Sequence, residues 1–403
     1  MFNNIEEALN FVINRPRGEI AFDDFKKACN KLNNPQNGFR MIHVTGTNGK
    51  GSTITFLRDL LMAHGFSVGT LQSPHFITHL DRIRFNKNNI DKDYFLKWVN
   101  DYYDFIIQNN IGMFEIDYLV ALDYFRYKKA DYVIIEVGIG GRLDSTNVVD
   151  DTSLSIITSI GLDHTELLGD TKELICKEKC GIIKDNSHIL VSNIDSNLKD
   201  IVKEYALKHN SVYHELDNID IKSDNEFIYK GNKYILNNQP LYQIYNSSLA
   251  IEALNILSNI YKFNIDKSKI DKALSEFVWN GRYEVISNKP KIILDGGHNP
   301  EGIEKLLESF DKEKGKKLIV FSALKRKNFK EMYSLLKNHS DKLVLTTFNY
   351  PGSIDENDVD DDTLYVRKYI EYINKNKNLY DVILICGSLY FISDAYININ
   401  SLR

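Results

Sequence analysis

Four of the 403 residues are cysteine, and Cys29, Cys176, Cys180 and Cys386 fall into no C-x-x-C or framework spacing. That excludes a disulfide scaffold and points to reduced thiols in a reducing compartment. Cys176 and Cys180, one turn apart on a predicted helix, lack the further soft ligands of a zinc site and read as small core residues. No apolar stretch approaches the ~18 residues that span a bilayer, and the opening MFNNIEEALNF carries acids where a secretion signal carries bases. A cytoplasmic protein is expected. Charge of one sign is missing too: a net charge of −5 spread over mixed acids and bases leaves no footprint for nucleic acid or an anionic membrane. The length, by contrast, exceeds what one core usually serves and predicts two domains.

What is present is MIHVTGTNGKGST, residues 41–53, which reads as a buried strand, a glycine-rich turn and a helix start. Gly46, Gly49 and Gly51 let backbone N–H groups approach phosphate oxygens, and the helix directs its positive end the same way. Lys50 adds a mobile charge, and Ser52 a hydroxyl near the place of a nucleotide-bound magnesium ion. The spacing departs from G-x-x-x-x-G-K-[ST], because Gly51 separates Lys50 from Ser52. A strand over 67–71 follows and completes a βαβ unit.

Two short helices, 5–13 and 22–32, precede the cradle and end at Asn33-Asn34-Pro35. After it come the loop SPHFITHLDRIR, a helix over 94–107 and another over 114–125, with Glu115 and Asp117 placed to favour its positive end. The run DYVIIEV, 131–137, predicts a central parallel strand that ends on Glu136, where an acid either holds magnesium or pairs with an arginine such as Arg142. A weak G-x-G-G turn follows. A strand over 154–160 leads to His164, a ligand or proton carrier if it shares that sheet edge. In the helix 172–180, Lys177-Glu178-Lys179 reads by charge alone as solvated. A hairpin is expected over 227–236, then a helix over 245–261 with Gln243 and Asn246 at its start. The pattern breaks near Trp279 to Arg282. Beyond it, strands at 291–294, 317–321, 342–345 and 381–386 alternate with helices, and Asn299-Pro300 can start one of them.

GTNGKGS (46–52), SPH (73–75), EVGIGGRLDSTN (136–147), GLDH (161–164), EKCGIIK (178–184), GRYE (281–284), LDGGHNP (294–300) and GSLY (387–390) together resemble the folylpolyglutamate synthase/dihydrofolate synthase family of the Mur ligase superfamily. The similarity runs in order over nearly the whole chain. It implies an α/β protein: a P-loop-type ATPase domain with a mostly parallel sheet (1–285) and a smaller Rossmann-like α/β domain (286–403). It also implies an ATP-dependent amide ligase, in which the γ-phosphate activates a carboxylate and a glutamate amine displaces it. Its substrates would be folate or dihydropteroate, L-glutamate and ATP, with magnesium and a monovalent cation such as potassium.

By this resemblance Thr47, Asn48, Gly49, Lys50, Gly51, Ser52, Asn246, Arg282, Asp295 and His298 contact ATP. Ser73, Glu136, His164 and Lys179 match metal positions, with Ser52 as a further candidate; Lys179 matches a lysine carried as a carbamate. Lys50, His164 and Lys179 would be catalytic, and His75, Arg82, Phe114, Leu143 and Asp144 would face the pterin. Tyr242 stands where the family usually has histidine, and Lys325-Arg326-Lys327-Asn328 and Pro351-Gly352-Ser353 depart from it in the second domain. A monomer is expected. Mur-type UDP-muramoyl ligases share the reaction but carry a further domain ahead of the cradle, where only forty-odd residues stand here. A non-catalytic ATP-binding protein would have lost the metal acids.

Overall fold

The structure, a computed structural model, describes residues 1–16, 20–237, 239–359 and 363–398. The chain divides into two compact units. The first comprises Met1–Asp220, Phe227–Ile235 and Tyr245–Phe277; the second comprises Ile221–Glu226, Leu236–Ile244 and Val278–Arg403. The second unit thus begins its long segment ahead of residue 286 and recruits two upstream pieces.

An eight-stranded sheet forms the first unit's frame. Its strands are β1 (Met41–Thr45), β2 (Val68–Leu71), β3 (Ile83–Phe85), β4 (Asn88–Asn89), β5 (Tyr132–Glu136), β6 (Leu154–Ile157), β7 (His188–Val191) and β8 (Val212–Glu215), in the order β4-β3-β2-β5-β1-β6-β7-β8. Every pairing from β2 to β8 is parallel, and β3 and β4 add an antiparallel edge. Central strands covered on both faces read as continuous apolar runs, and β5 does so: Val133, Ile134 and Ile135 are fully buried. Burying each contributes about 1.5–3 kcal/mol. β1 lies between β5 and β6, with Val44 beside both Glu136 and Ile156. The strands therefore deliver 46–50, 137–144 and 158–164 to one edge of the sheet.

The helix Lys50–Ala63 is buried along most of its length, as its lack of a polar face requires. The helix expected over 94–107 is two, Lys92–Asp101 and Tyr103–Gln108, broken where Tyr102 stacks on Trp98 at 4.5 Å. The helix expected from 245 starts earlier and spans Tyr242–Tyr261. The hairpin forms as expected, from Glu226–Tyr229 and Asn232–Ile235. A six-stranded sheet frames the second unit, in the order Glu284–Asn288, Lys291–Asp295, Val382–Cys386, Lys317–Phe321, Lys342–Thr346, Tyr365–Val366. Only its first strand is antiparallel. No helix among the described residues is long and apolar enough to cross a membrane.

Candidate active site

Where β1 ends the chain must turn sharply, and two glycines make that turn. A Cβ on Gly46 would overlap Thr158 Oγ1, and Gly49, at φ +86°, starts the next helix in a left-handed conformation. A Cβ on Gly49 would lie 2.5 Å from Asn246 Oδ1, so the Asn246 amide stands directly against the cradle. The loop is stitched to the one after β6. Thr47 Oγ1 donates to Gly161 O (3.1 Å) and accepts Gly161 N–H (2.9 Å), Asn48 N–H donates to Ser159 Oγ (2.8 Å), and Thr158 Oγ1 donates to Asn48 O (2.6 Å). Thr158 and Ser159 carry no motif and were invisible from sequence.

Lys50 Nζ donates to Gly46 O (2.9 Å) and lies 4.0 Å from Glu136 Oε1. Glu136, 4% exposed, also accepts the Ser73 N–H at 3.3 Å. Arg142 does not pair with it; that guanidinium binds Glu178 Oε1 at 2.9 Å. Lys50, Ser73 and Glu136 thus meet at the carboxyl edge of the parallel sheet, where open α/β sheets bind ligands. Ser52 is buried in the first turn of the helix behind them.

Lys179 is the largest departure from the charge pattern. It is 3% exposed, not solvated, because it shares the buried face of its helix with Ile175, Cys176 and Cys180. Burial lowers its pKa to about 7; the Lys50 charge pushes the same way and Asp163 opposes it. His164 begins the short helix Thr165–Leu168 at φ +52°, its ring within 3.9 Å of Asp163 and 3.8 Å of Glu166. Its loop is the one that bonds Thr47. Among the described residues no three His, Cys, Asp or Glu side chains converge as a metal cage.

The pterin candidates form two groups. Arg82 Nε donates to His75 Nδ1 (3.3 Å), and Arg82 lies 3.7 Å from Asp117, which receives His79 Nε2 at 2.7 Å. Burial, with the Arg82 charge behind it, lowers the His75 pKa to about 4, so that ring is neutral. Asp81 folds the loop by accepting the N–H groups of Phe76, Ile77 and Thr78. His79 and Asp117 were missed as a pair: Asp117, fully buried, serves the histidine and not the helix end. Phe114, one turn before Asp117 on the helix Met113–Tyr127, packs against Gly138. Leu143 is 58% exposed. Asp144 holds its own turn, accepting N–H groups from Ile139 (3.0 Å) and Thr146 (2.9 Å), and burial raises its pKa.

In the second unit Asp295 ends its strand, 2% exposed, and accepts the Tyr242 hydroxyl (2.7 Å) and the N–H groups of Tyr283 (2.9 Å) and Gly297 (2.7 Å). The Arg282 guanidinium crosses the face of Gly296, where any Cβ would overlap it. His298 Nδ1 meets Gly296 O at 3.0 Å. Asn299 caps the helix Pro300–Phe310 through Gly302 N–H (2.8 Å). Gln243 is buried in its helix.

A parallel sheet with a glycine cradle, a basic and an acidic side chain at its edge, and a second α/β unit define a Mur-type ligase. The Mur ligase middle domain matches residues 44–253, and the Mur ligase glutamate ligase domain matches 281–389. The dihydrofolate synthase/folylpolyglutamate synthase of Bacillus subtilis is 32% identical, over 98% of this chain and 99% of its own. The dihydrofolate synthetase of Saccharomyces cerevisiae is 28% identical, over 92% and 96%. Among solved structures, the apo form of L. casei FPGS has 26% identity and a TM-score of 0.85, over 99% of this chain and 100% of that one. An FPGS-AMPPCP-folate complex has 28% identity and a TM-score of 0.84, over the same shares. The chain belongs to the dihydrofolate synthase/folylpolyglutamate synthase family. It is an ATP-dependent acid–amino-acid ligase.

Proposed function

We propose that this ligase joins L-glutamate to the free carboxylate of dihydropteroate or a folate, and that the edge around Lys50, Ser73 and Glu136 is where it does so. The observation that carries this reading is the meeting of the Lys50 and Glu136 side chains, the Ser73 backbone N–H and the Asn246 amide around the cradle. A carboxylate is a poor acylating group. Transfer of the γ-phosphate to one of its oxygens gives an acyl phosphate and ADP, and attack by the glutamate amine on the acyl carbon expels phosphate and forms the amide. Both steps gather negative charge, which fixed cations and N–H dipoles stabilise. Lys50 and the N–H groups of 46–52 supply this at the triphosphate, with Asn246 against the nucleotide. Arg282, Asp295 and His298 gather around Gly296 and Gly297 as a polar group of the second unit, assigned to the nucleotide.

The carboxylate of Glu136 and the hydroxyls of Ser52 and Ser73 are hard oxygen donors, which fit a magnesium ion held chiefly by nucleotide phosphates; His164 stands on the adjoining loop. When bound, the ion neutralises phosphate charge. Lys179 fits a carbamate. Only a neutral amine attacks carbon dioxide, forming an N–C bond and losing a proton, and burial has brought this amine to about 7. Phe114, the exposed Leu143 and the turn that Asp144 holds are assigned to the pterin, with His75 and Arg82 shaping the neighbouring loop. Four buried free cysteines favour a reducing, cytoplasmic setting.

The test is ADP release by the magnesium-supplied protein with dihydropteroate, tetrahydrofolate or a UDP-muramoyl substrate, each with candidate amino acids. Release above background is expected with a pterin plus L-glutamate. Release only with the UDP-muramoyl substrate, or with none, would overturn the assignment.

A further inference from the structure

We propose that His43 is a positioning residue for the pterin substrate: acting through Thr146, it fixes the 138–146 turn from the strand that bears the phosphate cradle. This rests on the reading that Phe114 and the Leu143 turn contact that substrate.

His43 sits in the middle of β1 and is fully buried. Its Nε2 meets Thr146 Oγ1 at 2.8 Å, and Thr146 Oγ1 in turn meets Asp144 Oδ1 at 2.5 Å. A carboxylate only accepts, so the single hydroxyl proton of Thr146 points to Asp144, and the hydroxyl oxygen accepts from His43. Nε2 therefore carries the ring proton. Nδ1 is left a bare acceptor, buried without a partner. Burial, with Lys184 adding to it, lowers the pKa to about 3 and keeps the ring neutral. A leucine would fill such a strand position without an orphaned nitrogen, whose desolvation works against stability. The imidazole is explained by what it holds. Two residues on, and so on the same face of the strand, Thr45 Oγ1 donates to Gly140 O at 2.6 Å. Both ends of the turn are thus tied to β1, and the residue after Thr45 is Gly46 of the cradle.

Steady-state kinetics on the full-length protein test this with His43→Leu, His43→Gln and Thr146→Val, alongside Phe114→Ala and Leu143→Ala. His43→Leu and Thr146→Val are expected to raise KM for the pterin by about tenfold or more while KM for ATP stays within about twofold, the size of one lost buried hydrogen bond. His43→Gln, whose amide N–H takes the place of Nε2–H, is expected to restore most of that loss. Unchanged KM values, equal rises in both, or a lower kcat at unchanged KM would overturn the proposal, the last because it marks only a loss of folded protein. If His43→Leu does not fold, Thr146→Val, which keeps the volume and removes one hydroxyl, decides. If Phe114→Ala and Leu143→Ala leave KM for the pterin unchanged, the site itself is misassigned. If they raise it and the His43 and Thr146 variants do not, the positioning role alone falls.

Discussion

Lys179 shows how a residue misleads when it is read by charge. Flanked by Lys177 and Glu178 it looks solvated, yet Ile175, Cys176, Lys179 and Cys180 recur as one buried stripe. The resemblance singled out Lys179 against its charge, and the helical face gives the physical reason that it, and not Lys177, is buried. Its lowered pKa has a sign that can be tested. In the unfolded chain the amine holds its proton up to about 10.4, whereas in the fold it loses it near 7. Between those values the unfolded state binds the extra proton, so this group's contribution to stability rises with pH through that window and is lost as pH falls toward 7. Lys179→Met, measured by denaturant unfolding in CO2-free buffer, should therefore be more stable than the parent protein, with the gap widest at pH 7 and closing toward pH 10. The same variant should lose most ligase turnover, and Lys179→Ala should regain part of it when short carboxylic acids are added. Near-normal rates in either variant would remove Lys179 from the chemistry.

At the scale of elements, the strands of both sheets were readable wherever they were central and apolar. Glu284–Asn288 escaped because an antiparallel edge strand ending in Ser287 and Asn288 has no such run. The cradle glycines were legible as a motif and Asn246 as a nucleotide contact, but Thr158 was not, since it approaches from a distant part of the chain and carries no motif. Gly49→Ala tests that packing. A left-handed alanine costs about 1–3 kcal/mol, and its methyl also displaces the Asn246 amide. We expect lower unfolding stability and a raised KM for ATP. Adding Asn246→Ala should recover part of the stability but none of the nucleotide affinity. Full recovery of both would mean that Asn246 does not serve the nucleotide.

For the whole molecule, two α/β units were foreseeable from length and from the restart of strand–helix alternation after residue 285. Their division was not, because Leu236–Ile244 joins the second unit through contacts with no local signature: Tyr242 to Asp295, and Leu241 N–H to Ser309 Oγ at 2.9 Å. The four cysteines divide in the same way. Cys29, Cys176 and Cys180 are buried in the first unit and Cys386 in the second, all with free thiols. An alkylating reagent reaches a sealed thiol only when the structure around it opens, so the native protein should resist iodoacetamide and take it up at the frequency of that opening. Mass-resolved labelling at Cys386 against Cys29 then times the breathing of each unit separately, with sulfur atoms the chain already owns as the clock.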